Sequence, residues 1–144
     1  MKKIMIVTLF LFLASLCFAQ TLRIGDRGPG GGIIFAVEGN TFMEAHSLPN
    51  DMRQLDAIRA ALDFRGGGFS DWYLPSKSEL NLVFENLQRS GLADFGPRHF
   101  WANDTEMANN ACFNGFLQNF ANGNVASDHR YYSYSVIIVR RGTR

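Results

Sequence analysis

The chain has 144 residues, a formal charge of +1 and 47% hydrophobic side chains, 13% of all residues being aromatic. With Lys2 and Lys3 removed from its 14 basic side chains, the balance against 13 acidic ones tips to −1, which gives no general attraction to nucleic acid or to an acidic membrane surface. The length after a leader suits one domain able to bury a core of its own.

The first segment reads as a secretory leader over residues 1–19. Lys2 and Lys3 precede an apolar run from Ile4 to Leu16, and Cys17-Phe18-Ala19 offers small residues at the positions a signal peptidase reads. Cleavage after Ala19 leaves a domain over residues 20–144 in an exported protein, whether periplasmic, at the cell surface or secreted. The run is too short for a comfortable transmembrane span. A lipoprotein variant would acylate Cys17, although bulky Leu16 stands where a small residue is wanted. Loss of Cys17 leaves Cys112 alone, so no intrachain disulfide is expected and the core must hold the fold. Cys112 lies among apolar neighbours and reads as a buried small hydrophobe.

Gly25-Asp26-Arg27-Gly28-Pro29-Gly30-Gly31-Gly32 is a loop, followed by the strand-like run Ile33 to Val37. Phosphate binding is excluded by context: a strand rather than a helix follows the glycines. The fragment imitates collagen spacing over too few triplets to form a triple helix. Glu38-Gly39-Asn40 is a turn, with a second strand over Thr41–Ala45. Asn50 or Asp51 is expected to cap a helix to about Phe64, with Met52, Leu55, Ile58 and Leu62 as its apolar stripe and Gly66-Gly67-Gly68 as its stop. Phe69 to Pro75 is extended. Ser76-Lys77-Ser78-Glu79 is a capping box, opening a helix whose stripe is Leu80, Val83, Phe84 and Leu87 and which Ser90-Gly91 stops. From Phe95 the pattern turns to strands: His99–Ala102, Ala111–Asn114, Phe116–Phe120 and Ser133–Arg140, with Asn122-Gly123 as a hairpin turn.

Candidate chemistry is sparse. His46, His99 and His129 show no metal-ligand spacing, and no Gly-x-Ser-x-Gly elbow supports a serine nucleophile. Asn103, Asp104 and Glu106 are hard oxygen donors on one segment, the chemistry Ca²⁺ prefers, but too few to complete a site. Trp72 and Trp101 read as core; Tyr131 and Tyr132, beside Asp128, His129 and Arg130, read as partly exposed rings able to stack on sugars. Arg140, Arg141 and Arg144 form a basic end, able to meet sulfate or carboxylate groups or to lie in solvent.

Several blocks occur in an order that resembles the family defined by the C-terminal domain of the Legionella collagen-like adhesin. They are Gly25 to Phe35, the block Gly67-Gly68-Phe69-Ser70-Asp71-Trp72-Tyr73-Leu74-Pro75-Ser76-Lys77-Ser78-Glu79-Leu80, Phe100-Trp101, Thr105-Glu106, Phe120 to Gly123 and Val139-Arg140. The resemblance implies an α+β, C-type-lectin-like fold, of the type also used by formylglycine-generating enzymes, with two helices flanking a small, mostly antiparallel sheet. The first and last strands are then neighbours. The adhesin relative binds sulfated glycans. Ala102-Asn103 stand where many relatives carry serines, Cys112-Phe113 where many have Ala-Trp, and the collagen-like stalk is missing. Formylglycine chemistry does not carry over to a lone Cys112.

These readings lead to a non-catalytic binding or adhesion domain whose ligand is a glycan or a surface protein, met by Asn103, Asp104, Arg130, Tyr131 and Tyr132, with Ca²⁺ as an optional ion. The alternatives are an enzyme acting on an exported substrate, with Cys112 and His99 or His129 as its working pair, and a structural surface-assembly protein.

Overall fold

The computed structural model describes residues 21–109 and 112–144. The leader expected over residues 1–19, Cys17, Gln20 and the strand start at Ala111 lie outside the described residues. The described chain is α+β. It forms β1 (Ile33–Glu38), β2 (Thr41–Ser47), α1 (Gln54–Asp63), a 3₁₀ turn (Gly66–Gly68), α2 (Lys77–Val83) continued by a π turn (Phe84–Gln88), then β3 (His99–Asn109), β4 (Cys112–Asn119), β5 (Val125–His129) and β6 (Ile137–Thr143). The strands make two antiparallel three-stranded sheets, ordered β1-β2-β6 and β3-β4-β5. The last strand thus joins the first hairpin through β2, and a second sheet stands where one was expected.

The second helix follows its sequence signals. Ser76 accepts the Glu79 backbone N–H at 3.2 Å, and Glu79 accepts the Ser76 N–H at 3.0 Å, satisfying two helix-end donors. Its stripe of Leu80, Val83, Phe84 and Leu87 packs with Phe35, Phe100, Phe120 and Ile137.

The first helix is rotated from its expected face. It begins at Gln54 with Arg53 at the N-cap, and it buries Gln54, Ala57 and Ala61, while Leu55 and Leu62 are 44% and 55% exposed. The reason is volume: Trp72 and Trp101, both fully buried, fill the layer beneath the helix, and small residues let it approach. Asp51, one expected cap, instead accepts the Ser135 hydroxyl at 2.7 Å. Other boundaries also move. The two short strands expected on either side of Gly115 are one strand, because a Cβ there would lie 2.7 Å from Gln54 Nε2 and from Trp101. The last strand runs to Thr143, and residues 133–136 reach it through bridges to Met52 and Phe100. Cys112 is half-buried rather than buried: it sits at the outer end of the β3–β4 hairpin, its thiol donating to Asn109 Oδ1 at 3.3 Å.

Arg140 is likewise no part of a solvated tail. It faces Glu44 across the β2–β6 ladder, and its Nη1 donates to Glu44 Oε1 at 2.5 Å. Glu44 is fully buried and Arg140 is 4% exposed. The glycine-rich loop completes the cage, with the Gly30 and Gly32 N–H groups donating to the two Glu44 oxygens at 2.9 Å each. Arg140 Nε donates to Asp71 Oδ1 at 2.8 Å, and Phe69 covers the guanidinium at 3.6 Å from its ring centroid. That hydrogen-bonded guanidinium holds the Asp71 carboxyl below its ordinary pKa.

Removing one member of a buried, hydrogen-bonded pair strands the other charge. Arg140→Ala is therefore expected to cost about 3–5 kcal/mol in urea unfolding. Of the expected stripe, Met52 and Ile58 do pack against the core while Leu55 and Leu62 do not, so Leu55→Ala and Leu62→Ala are expected to stay within about 0.5 kcal/mol. A large loss at Leu55 together with a small one at Arg140 reverses this assignment of the core.

Candidate functional site

The segment after β5 carries the most exposed aromatic surface that the sequence pointed to. Tyr131 and Tyr132 are 67% and 60% exposed. Tyr131 packs its ring 5.0 Å from that of half-buried His129, and Tyr132 meets the same imidazole edge-on at 6.1 Å. A Tyr132 N–H to His129 carbonyl bond of 3.0 Å tightens the turn between them.

This turn is clamped from below. Gln54 opens α1 and is fully buried. Its Oε1 accepts Arg130 Nε at 2.7 Å, while its Nε2 donates to the carbonyls of Ala102 at 2.8 Å and Asp104 at 3.1 Å. The Gln54 backbone N–H reaches the Arg130 carbonyl at 3.3 Å. One amide thus ties α1, β3 and the tyrosine turn together. A second tie runs from the Tyr134 hydroxyl to Asp128, and Trp101 Nε1 donates to the Met52 carbonyl at 2.8 Å. The bond to Asp128, helped by burial, pushes the Tyr134 pKa from its ordinary 10.0 up to about 12.

The other expected site residues divide. Arg130, expected at the ligand face, directs its Nε inward to Gln54. Asp104 directs Oδ2 at the Lys77 N–H, at 2.5 Å, so its carboxylate serves the N-terminus of α2. Asn103 is exposed, and its backbone N–H is bound to the Pro75 carbonyl at 2.7 Å. Glu106 accepts the Ser127 hydroxyl from β5, at the opposite edge of the same sheet. Among the described residues, no three His, Cys, Asp or Glu side chains gather as a metal site. Sequence reasoning missed Gln54 altogether; a polar residue at the head of an amphipathic helix reads as solvent-facing unless its partners, some fifty and more residues away, are known.

A separate open cleft of about 600 Å³ lies between Leu22, Pro29, Phe42, Thr143 and Arg144, next to a smaller one of about 410 Å³ that reaches Phe69, Asp71 and Arg141. The larger cleft carries Arg144, and the smaller one carries Arg141 beside Asp71 and Arg140 of the buried cage.

Truncating Gln54 to Ala leaves Arg130 Nε and two carbonyls without their bonds. The expected cost is about 1–3 kcal/mol, with faster amide exchange through residues 130–132 as the site-specific sign; unchanged exchange there contradicts the clamp. At alkaline pH, Tyr134 ionises near 10 when unfolded and near 12 when folded, so the folded state binds the proton longer. Stability due to this group is intact below pH 10 and falls between pH 10 and about 12. Tyr73 adds to the same trend, its pKa raised by burial and by its bond to Glu79. Tyr134→Phe is expected to make the alkaline fall in melting temperature shallower; an identical curve counts against the Asp128 bond.

Comparison with known proteins adds little to this geometry. No protein-family model matches the chain. No curated protein matches it. Among solved structures, that of an EPNH mutant of CEL-I is similar to this chain at 9% identity and a TM-score of 0.46, covering 76% of this chain and 94% of the other.

Proposed function

We propose that the domain is a non-catalytic glycan-binding module of an exported protein, with the Tyr131–Tyr132 turn as its contact face. The observation that carries this reading is the pair of tyrosine rings held out into solvent on a turn whose base is bonded on both sides. A sugar ring offers an apolar C–H face and a rim of hydroxyls. Tyrosine answers both, with its ring for the face and its hydroxyl for the rim. Rings already held in place lose little freedom on binding, which favours affinity from a small contact area. The resemblance to the adhesin domain family supports the same class of role. It rests on the Asp71-Trp72-Tyr73-Leu74-Pro75-Ser76 block, whose residues build the core and the α2 cap rather than the contact face.

A glycan array probed with the wild-type domain, Tyr131→Ala and Tyr132→Ala tests the reading. Each substitution removes an exposed ring whose ring contact is with His129 at the surface and not with the core, so folding is expected to persist. Each is expected to weaken binding at least about tenfold, the size of a contact worth over 1 kcal/mol. Binding that survives both changes removes this face from consideration.

A further inference from the structure

We infer that the tyrosine turn is one end of a longer polar shelf, formed by Glu106, Asn114, Ser127 and His129, that takes a neutral oligosaccharide laid across the second sheet. This inference rests on the glycan-binding reading of the turn.

The register of three strands places the shelf. Glu106 on β3 is directly opposite Asn114 on β4, and Asn114 is directly opposite His129 on β5. Directly opposed residues in antiparallel strands point to the same side of a sheet. The three side chains therefore form a row across the sheet. Ser127 lies two residues before His129 on β5 and so shares its face; the bond from its hydroxyl to Glu106 independently fixes both on that side. At the His129 end, the rings of Tyr131 and Tyr132 continue the row. Two strand spacings separate Glu106 from His129, about 10 Å. The tyrosines extend the surface further, so the whole is longer than one sugar ring.

The chemistry of the row suits hydroxyls. A carboxylate accepts, an amide both donates and accepts, and a serine hydroxyl and an imidazole can do either. Glu106 is exposed, and Asn114, Ser127 and His129 are half-buried, so all four line an accessible but shaped surface.

Charge argues against an acidic chain. Asp104 and Glu106 stand on β3 beside the row, whereas Asp128, one residue before His129, faces the other side of the sheet. Of the nearby cations, Arg130 is bonded to Gln54 and Arg53 to Asp56 at 2.8 Å, which leaves Lys77, over the Phe116 ring at 3.9 Å, as one exposed cation against the two carboxylates of Asp104 and Glu106. A sulfated or uronic polymer crossing this shelf meets Glu106 and Asp104 with Lys77 alone to offset them, a balance that disfavours an acidic ligand.

The test uses an array of neutral oligosaccharides of two to six rings with their monosaccharides, together with heparin-type sulfated fragments. Calorimetry then follows on the best neutral binder and its monomer. Wild-type protein is expected to gain at least tenfold in affinity from monomer to oligomer, with little dependence on salt. Asn114→Ala and the double change Glu106→Ala/Asn114→Ala are expected to lose that gain while keeping monomer affinity; Tyr131→Ala is expected to lose both. Circular dichroism checks that each variant is folded. If the tyrosine change matters but the Glu106 and Asn114 changes do not, the shelf is wrong and the glycan reading stands. If the domain binds only sulfated fragments, with steep salt dependence, the shelf's neutral ligand is wrong. If no saccharide binds, or binding ignores Tyr131 and Tyr132, both readings fall.

Discussion

The fold is organised around a charge pair almost wholly withdrawn from water. Glu44 sits on the central strand of the first sheet and Arg140 opposite it on the last strand. Burying either alone is prohibitive. Together, their cost is offset by a full set of bonds: two loop amides and a guanidinium on the carboxylate, and a second carboxylate on the guanidinium. The loop closes this tightly only because it lacks side chains. A Cβ on Gly30 would lie 2.6 Å from Glu44 Oε1 and 2.7 Å from Trp72, and one on Gly28 would strike the other carboxylate oxygen. The second glycine cluster belongs to the same construction. Gly67, at φ 65°, presses against Gly30 so closely that a Cβ would stand 2.5 Å from its Cα, and Trp72 Nε1 donates to the Gly66 carbonyl at 3.1 Å. Two glycine-rich segments nearly forty residues apart thus meet over one ion pair, which locks the chain's beginning, middle and end together.

The candidate contact face is built by a smaller version of the same device. Gln54 does for the second sheet what Glu44 does for the first: a buried polar side chain ties its own element to two others. Both polar groups lie beneath aromatic or helical cover, and both leave the surface above them set in one geometry. This division of labour lets the tyrosine turn be exposed and yet fixed. A loop anchored only by its own apolar contacts would have to bury the rings that the proposed ligand needs.

Much of the scaffold was legible in the sequence because its signals are local. The capping box at Ser76–Glu79, the stripe from Leu80 to Leu87, the turn at Asn122-Gly123 and the burial of both tryptophans depend on residues a few positions apart or on ring size. What failed depended on distant partners. The stripe of α1 was misread because alanines, not leucines, face a layer already filled by tryptophan. Gly115 looked like a strand break because Gln54 and Trp101, which exclude a side chain there, are far off in the chain. Arg140 looked like a tail charge because Glu44 is 96 positions away. At the site, exposure of Tyr131 and Tyr132 was readable from their polar neighbours. The helix-capping duty of Asp104, and the row joining Glu106 to His129, needed the strand register.

So built, the Glu44–Arg140 pair wrapped by the glycine loop must be as solid as the core itself. Native-state amide exchange at Gly30 and Gly32 measures this directly, since both donate to Glu44. Loop amides ordinarily exchange through small local openings. Here the prediction is protection equal to that of core strand amides such as Val139, released only by global unfolding. Exchange at Gly30 and Gly32 on the timescale of an open surface loop, with the strands still protected, would contradict the account.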